Sequence, residues 1–139
     1  MEKNIIILVG LPGSGKSRMA KQINIDNGNK YKVIDDPKSL EKDIKPFINK
    51  DLIITDPALC FESNREKAEE FFKEFAPDAK IDWIYFENNP EQCLINADIR
   101  NRTLRISMKP TRNVDSFIKN LHQFYTIPEG TNVVSVWGS

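Results

Sequence analysis

This chain of 139 residues has no surplus of charge: 20 Lys and Arg are balanced by 20 Asp and Glu. A neutral protein has no global field to draw in nucleic acid or an anionic membrane, so any such contact must come from a local patch. Cysteine is scarce. Cys60 and Cys93 lack metal-ligand spacing, and each lies in or beside an apolar stretch. They read as reduced core thiols of a cytoplasmic protein, with one disulfide as the alternative. No apolar run approaches the roughly 18 residues that a membrane span needs. The N-terminus enters a strand at once, which predicts no signal peptide. Internal repeats, low-complexity linkers and a guanine-reading motif are also lacking. What remains is one domain over residues 1–139, with chain for a single core and little else.

Against this plain background one stretch stands out. Residues 10–17 read Gly-Leu-Pro-Gly-Ser-Gly-Lys-Ser, directly after the apolar run Ile5–Val9. The spacing is G-x-x-x-x-G-K-[ST], the phosphate-binding loop. Such a loop works by aiming backbone N–H groups and a helix N-terminus at phosphate oxygens, so a strand must enter it and a helix must leave it. Both are present: Ile5–Val9 before, and Lys16–Ile23 after. Gly10, Gly13 and Gly15 permit close backbone approach. Pro12, Ser14 and Arg18 complete the predicted nucleotide-binding set. Lys16 reaches the β- and γ-phosphates, and Ser17 is the candidate Mg²⁺ ligand. As a loop residue serving phosphate, Lys16 is expected to be exposed.

Strand and helix periodicities alternate along the rest. Tyr31–Ile34, Leu52–Thr55, Ile81–Phe86 and Asn132–Val136 read as further strands. Ser63-Asn64-Arg65-Glu66 reads as a capping box before a helix carrying Ala68, Phe71, Phe72 and Phe75. Asn89-Pro90 reads as an N-cap followed by Pro at the first helical position. Val114, Phe117, Ile118, Leu121 and Tyr125 recur at helical spacing. The pattern predicts an α/β fold: a five-stranded parallel sheet with helices on both faces. Ligands then bind beyond the carboxyl ends of the strands.

Three strand ends carry polar residues there. The first is the phosphate loop. The second is Asp35-Asp36-Pro37-Lys38. Asp36 with Pro37 reads as the N-cap and first residue of a helix carrying Leu40 and Ile44. That leaves Asp35 as the candidate general base for an attacking hydroxyl. The third is Thr55-Asp56-Pro57. Asp56 is either a turn residue or a carboxylate serving the metal and the acceptor side.

Residues 98–112 hold five basic residues and one acid. A helix C-terminus favours one or two cations. An arginine lid that closes over the nucleotide accounts for more, through Arg100, Arg102 and Arg105. A patch for polynucleotide phosphates is compatible with such a lid.

Taken in order, the loop, the Asp pair, the Ile-Thr-Asp strand end and the Arg-rich lid resemble the P-loop kinase domain of 5′-hydroxyl polynucleotide kinases. The resemblance implies a P-loop NTPase fold using ATP and Mg²⁺. It implies Asp35 as the base, Lys16 and Ser17 on ATP and metal, and Asp56 on the acceptor side. One of Arg100, Arg102 and Arg105 then contacts the transferring phosphate. The implied acceptor is the 5′ end of single-stranded DNA or RNA, with no membrane partner. A small Asn- and Lys-rich kinase of this kind is the sort a phage encodes.

Two departures weaken the substrate side of the resemblance. Ser39–Lys50 replaces a long helical insertion, and Pro46 interrupts it. Lys38 stands where that family has an arginine, which removes bidentate phosphate recognition. A nucleoside, nucleotide or other small hydroxyl compound is the alternative acceptor. A nucleotide-binding module without phosphotransfer and an NTPase motor are the rival classes.

Overall fold

The computed structural model describes residues 3–104 and 114–138. Five strands form one sheet: β1 Asn4–Val9, β2 Lys32–Asp35, β3 Leu52–Thr55, β4 Lys80–Phe86 and β5 Asn132–Val134. All pairs are parallel, in the order β2-β3-β1-β4-β5. An unbroken apolar strand is stable only with both faces covered, and β1 is central for that reason. Its alternate side chains feed two cores. Ile5, Ile7 and Val9 pack with Phe71, Ala97 and Ile118 of the helices α2 (Glu62–Phe75), α3 (Pro90–Leu104) and α4 (Val114–Leu121). Ile6 and Leu8 pack on the other face with Ala20 of α1 (Lys16–Asp26). Each fully buried Ile or Leu contributes about 1.5–3 kcal/mol relative to exposure. Among the described residues, no helix is long and apolar enough to cross a membrane.

Several local expectations change. α1 runs three residues past Ile23, to the turn where Gly28 and Asn29 take positive φ. Asp35 closes β2 rather than following it. β5 stops at Val134, and residues 135–137 turn back over the phosphate loop. Ser63 caps nothing: α2 begins at Glu62 behind Phe61, with no side-chain cap. Asn89 does cap α3, its Oδ1 accepting from the Gln92 N–H at 3.2 Å. Asp36 does not cap a helix. Ser39 takes that place for a short wide turn over Leu40–Ile44, followed by a 3₁₀ turn over Lys45–Phe47 where Pro46 falls.

Candidate active site

The phosphate loop leaves the end of β1 in the middle of the sheet. Gly13 and Gly15 have φ of 83° and 107°, values glycine adopts without steric cost. Each also has a neighbour that forbids a side chain. A Cβ on Gly13 would stand 2.6 Å from the Cys93 carbonyl oxygen, and one on Gly15 would stand 2.9 Å from Trp137 Cβ. The loop is therefore packed between α3 and the returning tail.

Lys16 differs from expectation. It is only 8% exposed, and its Nζ donates to the carbonyls of Gly10 and Leu11, both at 2.9 Å. Burial pulls its pKa below the ordinary range, opposed in part by the charges of Asp36 and Asp35. The loop thus folds around its own ammonium.

Ser17, one residue on, faces β2. Its Oγ donates to Asp35 Oδ1 at 3.3 Å. Thr55, buried at the end of β3 and paired in register with Asp35, donates its hydroxyl to the same oxygen. Asp36 continues the chain with its N–H bonded to the Thr55 carbonyl at 2.7 Å and a φ of 50°. That left-handed conformation is one that Asp and Asn tolerate better than most residues. Burial and the adjacent Asp35 raise the Asp36 pKa, while Lys16 and Arg100 oppose the rise.

Lys16, Ser17, Asp35 and Asp36 share one cavity of about 530 Å³. Gly13, Gly15, Lys16, Ser17 and Arg18 line it on the loop side, and Asp35 and Asp36 line it at the end of β2. Pro57, Ala97, Arg100, Val114 and Phe117 complete the wall, with Trp137 beside the loop. The Arg18 guanidinium lies 4.4 Å above the Trp137 ring. Behind the loop, the buried Tyr125 hydroxyl shares its one hydrogen between the carbonyls of Phe86 and Val9, at the ends of β4 and β1.

A hard cation fits here. Among the described residues no cluster of three His, Cys, Asp or Glu could hold a metal alone. Mg²⁺ needs no such cage, since it binds through one or two protein oxygens together with substrate phosphates. The Ser17 hydroxyl beside the Asp35 carboxylate is that kind of donor set.

An uncharacterized protein of Acanthamoeba polyphaga mimivirus is 32% identical to this chain over 111 residues, covering 73% of this chain and 75% of that protein. The chain belongs to the family of that viral protein. No family model matches it. Solved structures share the shape of this chain. A gluconokinase from Sinorhizobium meliloti superposes with a TM-score of 0.55 at 16% identity, over 99% of this chain and 84% of that one. A fungal RNA kinase gives 0.59 at 14% identity, over 100% and 76%. Kti12 of Chaetomium thermophilum, in complex with ADP-AlF3, gives 0.59 at 17% identity, over 94% and 88%. Likeness at these identities shows the fold: this member of the family has the P-loop NTPase fold, with an all-parallel five-stranded sheet.

The cavity gathers Pro12, Gly13, Gly15, Lys16, Ser17, Arg18, Asp35 and Arg100 of the residues singled out from sequence. Gly10 serves through its carbonyl. Ser14 is fully buried, and its hydroxyl has no partner among the described residues. Lys38 and Asp56 are not among the residues lining the cavity. The Lys38 backbone N–H is held by Asp43 Oδ2 at 2.7 Å. Asp56 Oδ1 accepts from the Ala58 N–H at 2.9 Å, which is the turn-capping role of an Asp-Pro pair. Burial raises the Asp56 pKa, with that N–H opposing. The Arg102 side chain and all of Arg105, Lys109 and Arg112 lie outside the described residues. Cys60 and Cys93 are free and buried, and burial pushes their thiols up to about 12 and about 11.

Sequence reasoning missed four contributors: Thr55, Asn96, Phe117 and Trp137. Thr55 was legible in principle, as a polar residue ending an apolar strand. Asn96 and Trp137 carry no sequence signal, because the partners that bring them to the loop, Gly13 for Asn96 and Ser14 for Trp137, lie far away along the chain.

Proposed function

We propose that this chain is a P-loop kinase that transfers the γ-phosphoryl group of ATP to a hydroxyl. One observation carries the reading: the phosphate loop and the carboxylates at the end of β2 line the same cavity. A protein that only binds nucleotide needs the first and not the second. The reading takes residues 1–139 as one catalytic domain in the cytoplasm, with residues 98–112 as its lid. The buried free thiols support that compartment.

In this mechanism the triphosphate lies on the amides of residues 12–17, and Lys16 trades its two carbonyl partners for phosphate oxygens. Ser17, with the Asp35 carboxylate beside it, would hold Mg²⁺, which would offset the charge on the phosphates. Asp56, taken from sequence as a metal ligand, caps its own turn outside the cavity lining. The acceptor hydroxyl attacks the γ-phosphorus, the bond to the β-γ bridging oxygen breaks, and ADP leaves. The hydroxyl proton passes to Asp35. Both hydroxyl donors on Asp35 use Oδ1, so Oδ2 is the oxygen assigned to that proton. Arg100, with Arg102 and Arg105 of the lid, stabilises charge on the transferring group. Catalysis is positioning and charge neutralisation, with no covalent intermediate.

The acceptor assigned is the 5′-hydroxyl of a polynucleotide. Phe117 and Pro57 add apolar surface to the cavity that the carboxylates line, and the basic stretch 98–112 suits a phosphate backbone. One observation favours a small hydroxyl acceptor instead. Only two short turns, Leu40–Ile44 and Lys45–Phe47, separate β2 from β3, which leaves little to shape a polynucleotide channel.

The test is incubation with γ-labelled ATP and a panel of 5′-hydroxyl DNA, RNA, nucleosides and metabolites. Label on an oligonucleotide is the expected result. Label on a small compound selects the second acceptor. Nucleotide binding with no transfer to any member overturns the kinase reading.

A further inference from the structure

Asn96 stands inside α3, where Asn is a poor helix former, and it is 7% exposed. Both of its amide hydrogens leave the helix. Nδ2 donates to the Gly13 carbonyl at 2.8 Å and to the Trp137 carbonyl at 2.6 Å. Its Oδ1 accepts from Gln92 Nε2 at 2.9 Å, which fixes the rotamer. The Trp137 N–H in turn donates to the Ser14 carbonyl at 3.0 Å. One side chain therefore joins the phosphate loop, α3 and the tail in a closed ring of hydrogen bonds. Tying the Ser14 carbonyl to the tail also turns the Gly15 N–H away from the tail, since the two groups of a trans peptide point in opposite directions.

Arg100 lies four residues beyond Asn96, on the same face of α3, and both line the cavity. A helix pinned at Asn96 has its rotation and height fixed relative to the loop. We propose that Asn96 is a positioning residue of this site. It pins α3 to the phosphate loop and so sets where Arg100 meets the transferring phosphoryl group. The proposal rests on the kinase reading for the role of Arg100.

The test is a double-mutant cycle on the full chain, read as the preference for ADP–aluminium fluoride over ADP by calorimetry with Mg²⁺. Asn96→Ala should reduce that preference about tenfold, because small misplacements of a transition-state contact are costly. In the Arg100→Ala background the same change should leave the preference within about twofold, the ordinary scatter of independent sites. Asn96→Leu, closer in size, serves if the alanine variant fails to fold. Equal loss in both backgrounds shows a general structural role and overturns the proposal, as does no loss in either. Wild-type protein that binds neither ligand overturns the kinase reading and the pin together, so the two failures separate at the first titration.

Discussion

Thr55 donates its hydroxyl to Asp35 across adjacent parallel strands, and Ser17 donates to the same carboxylate oxygen from the first turn of α1. Asp35 is thus aimed by β3 and by the phosphate loop together. Asp35→Asn keeps the shape and removes the proton acceptor. Turnover should fall by about 10²–10⁴-fold, with ATP affinity little changed. Thr55→Val removes one of the two donors and should cost less, since Ser17 still holds the oxygen. Single-turnover transfer rates beside nucleotide Kd values check both. A larger drop in binding than in turnover would move Asp35 out of the base role.

Asp36 sits at φ 50°, so its substitutions should sort by backbone tolerance. Asp36→Asn and Asp36→Gly should fold about as stably as the parent. Asp36→Val should lose about 1–2 kcal/mol, the cost of left-handed backbone for an L side chain. The pH dependence has a definite sign. The Asp36 pKa is raised above 3.8 in the folded protein, so between 3.8 and the raised value the folded state binds more protons than the unfolded chain. Stability contributed by this group then falls as pH rises through that window. Denaturant titrations across the acid range should show a shallower fall in Asp36→Asn.

Lys16→Ala should abolish detectable phosphotransfer and should also weaken the fold. The Gly10 and Leu11 carbonyls lose their buried donor, and an unmet buried polar group costs about 1–3 kcal/mol. Thermal melts should therefore show a lower Tm without nucleotide, and no upward shift when ATP is added. A variant with unchanged Tm and retained ATP protection would remove Lys16 from both roles.

The acceptor is decided by salt. Each phosphate neutralised on a single strand contributes about −0.7 to the slope of log K against log salt. With five basic residues in 98–112 and some engaged by ATP, oligonucleotide affinity should fall with a slope matching roughly two or three contacts. Arg112→Ala should reduce that slope without altering ATP affinity. A flat line across the salt series, measured with ATP saturating, selects the small-molecule acceptor.

The sheet, the loop and the direction of the site were legible in local pattern alone. An apolar run with no polar break demands burial on both faces, so β1 had to be central. Eight residues of fixed spacing then placed a phosphate cradle at its carboxyl end. These signals are local: strand period, glycine positions and a following helix all lie within about one strand–loop–helix unit. How side chains are used depends instead on packing between segments far apart in sequence. Lys16 reads as an exposed cation, yet the loop closes on it and buries it. Asp56 turns back to cap its own turn, and Asp36, read as a cap, takes a left-handed place facing the cavity. Asn96 and Trp137 join the site only because α3 and the tail pack on either side of the loop. Such roles depend on burial and on partners fixed by packing, and neither quantity exists until the chain has folded.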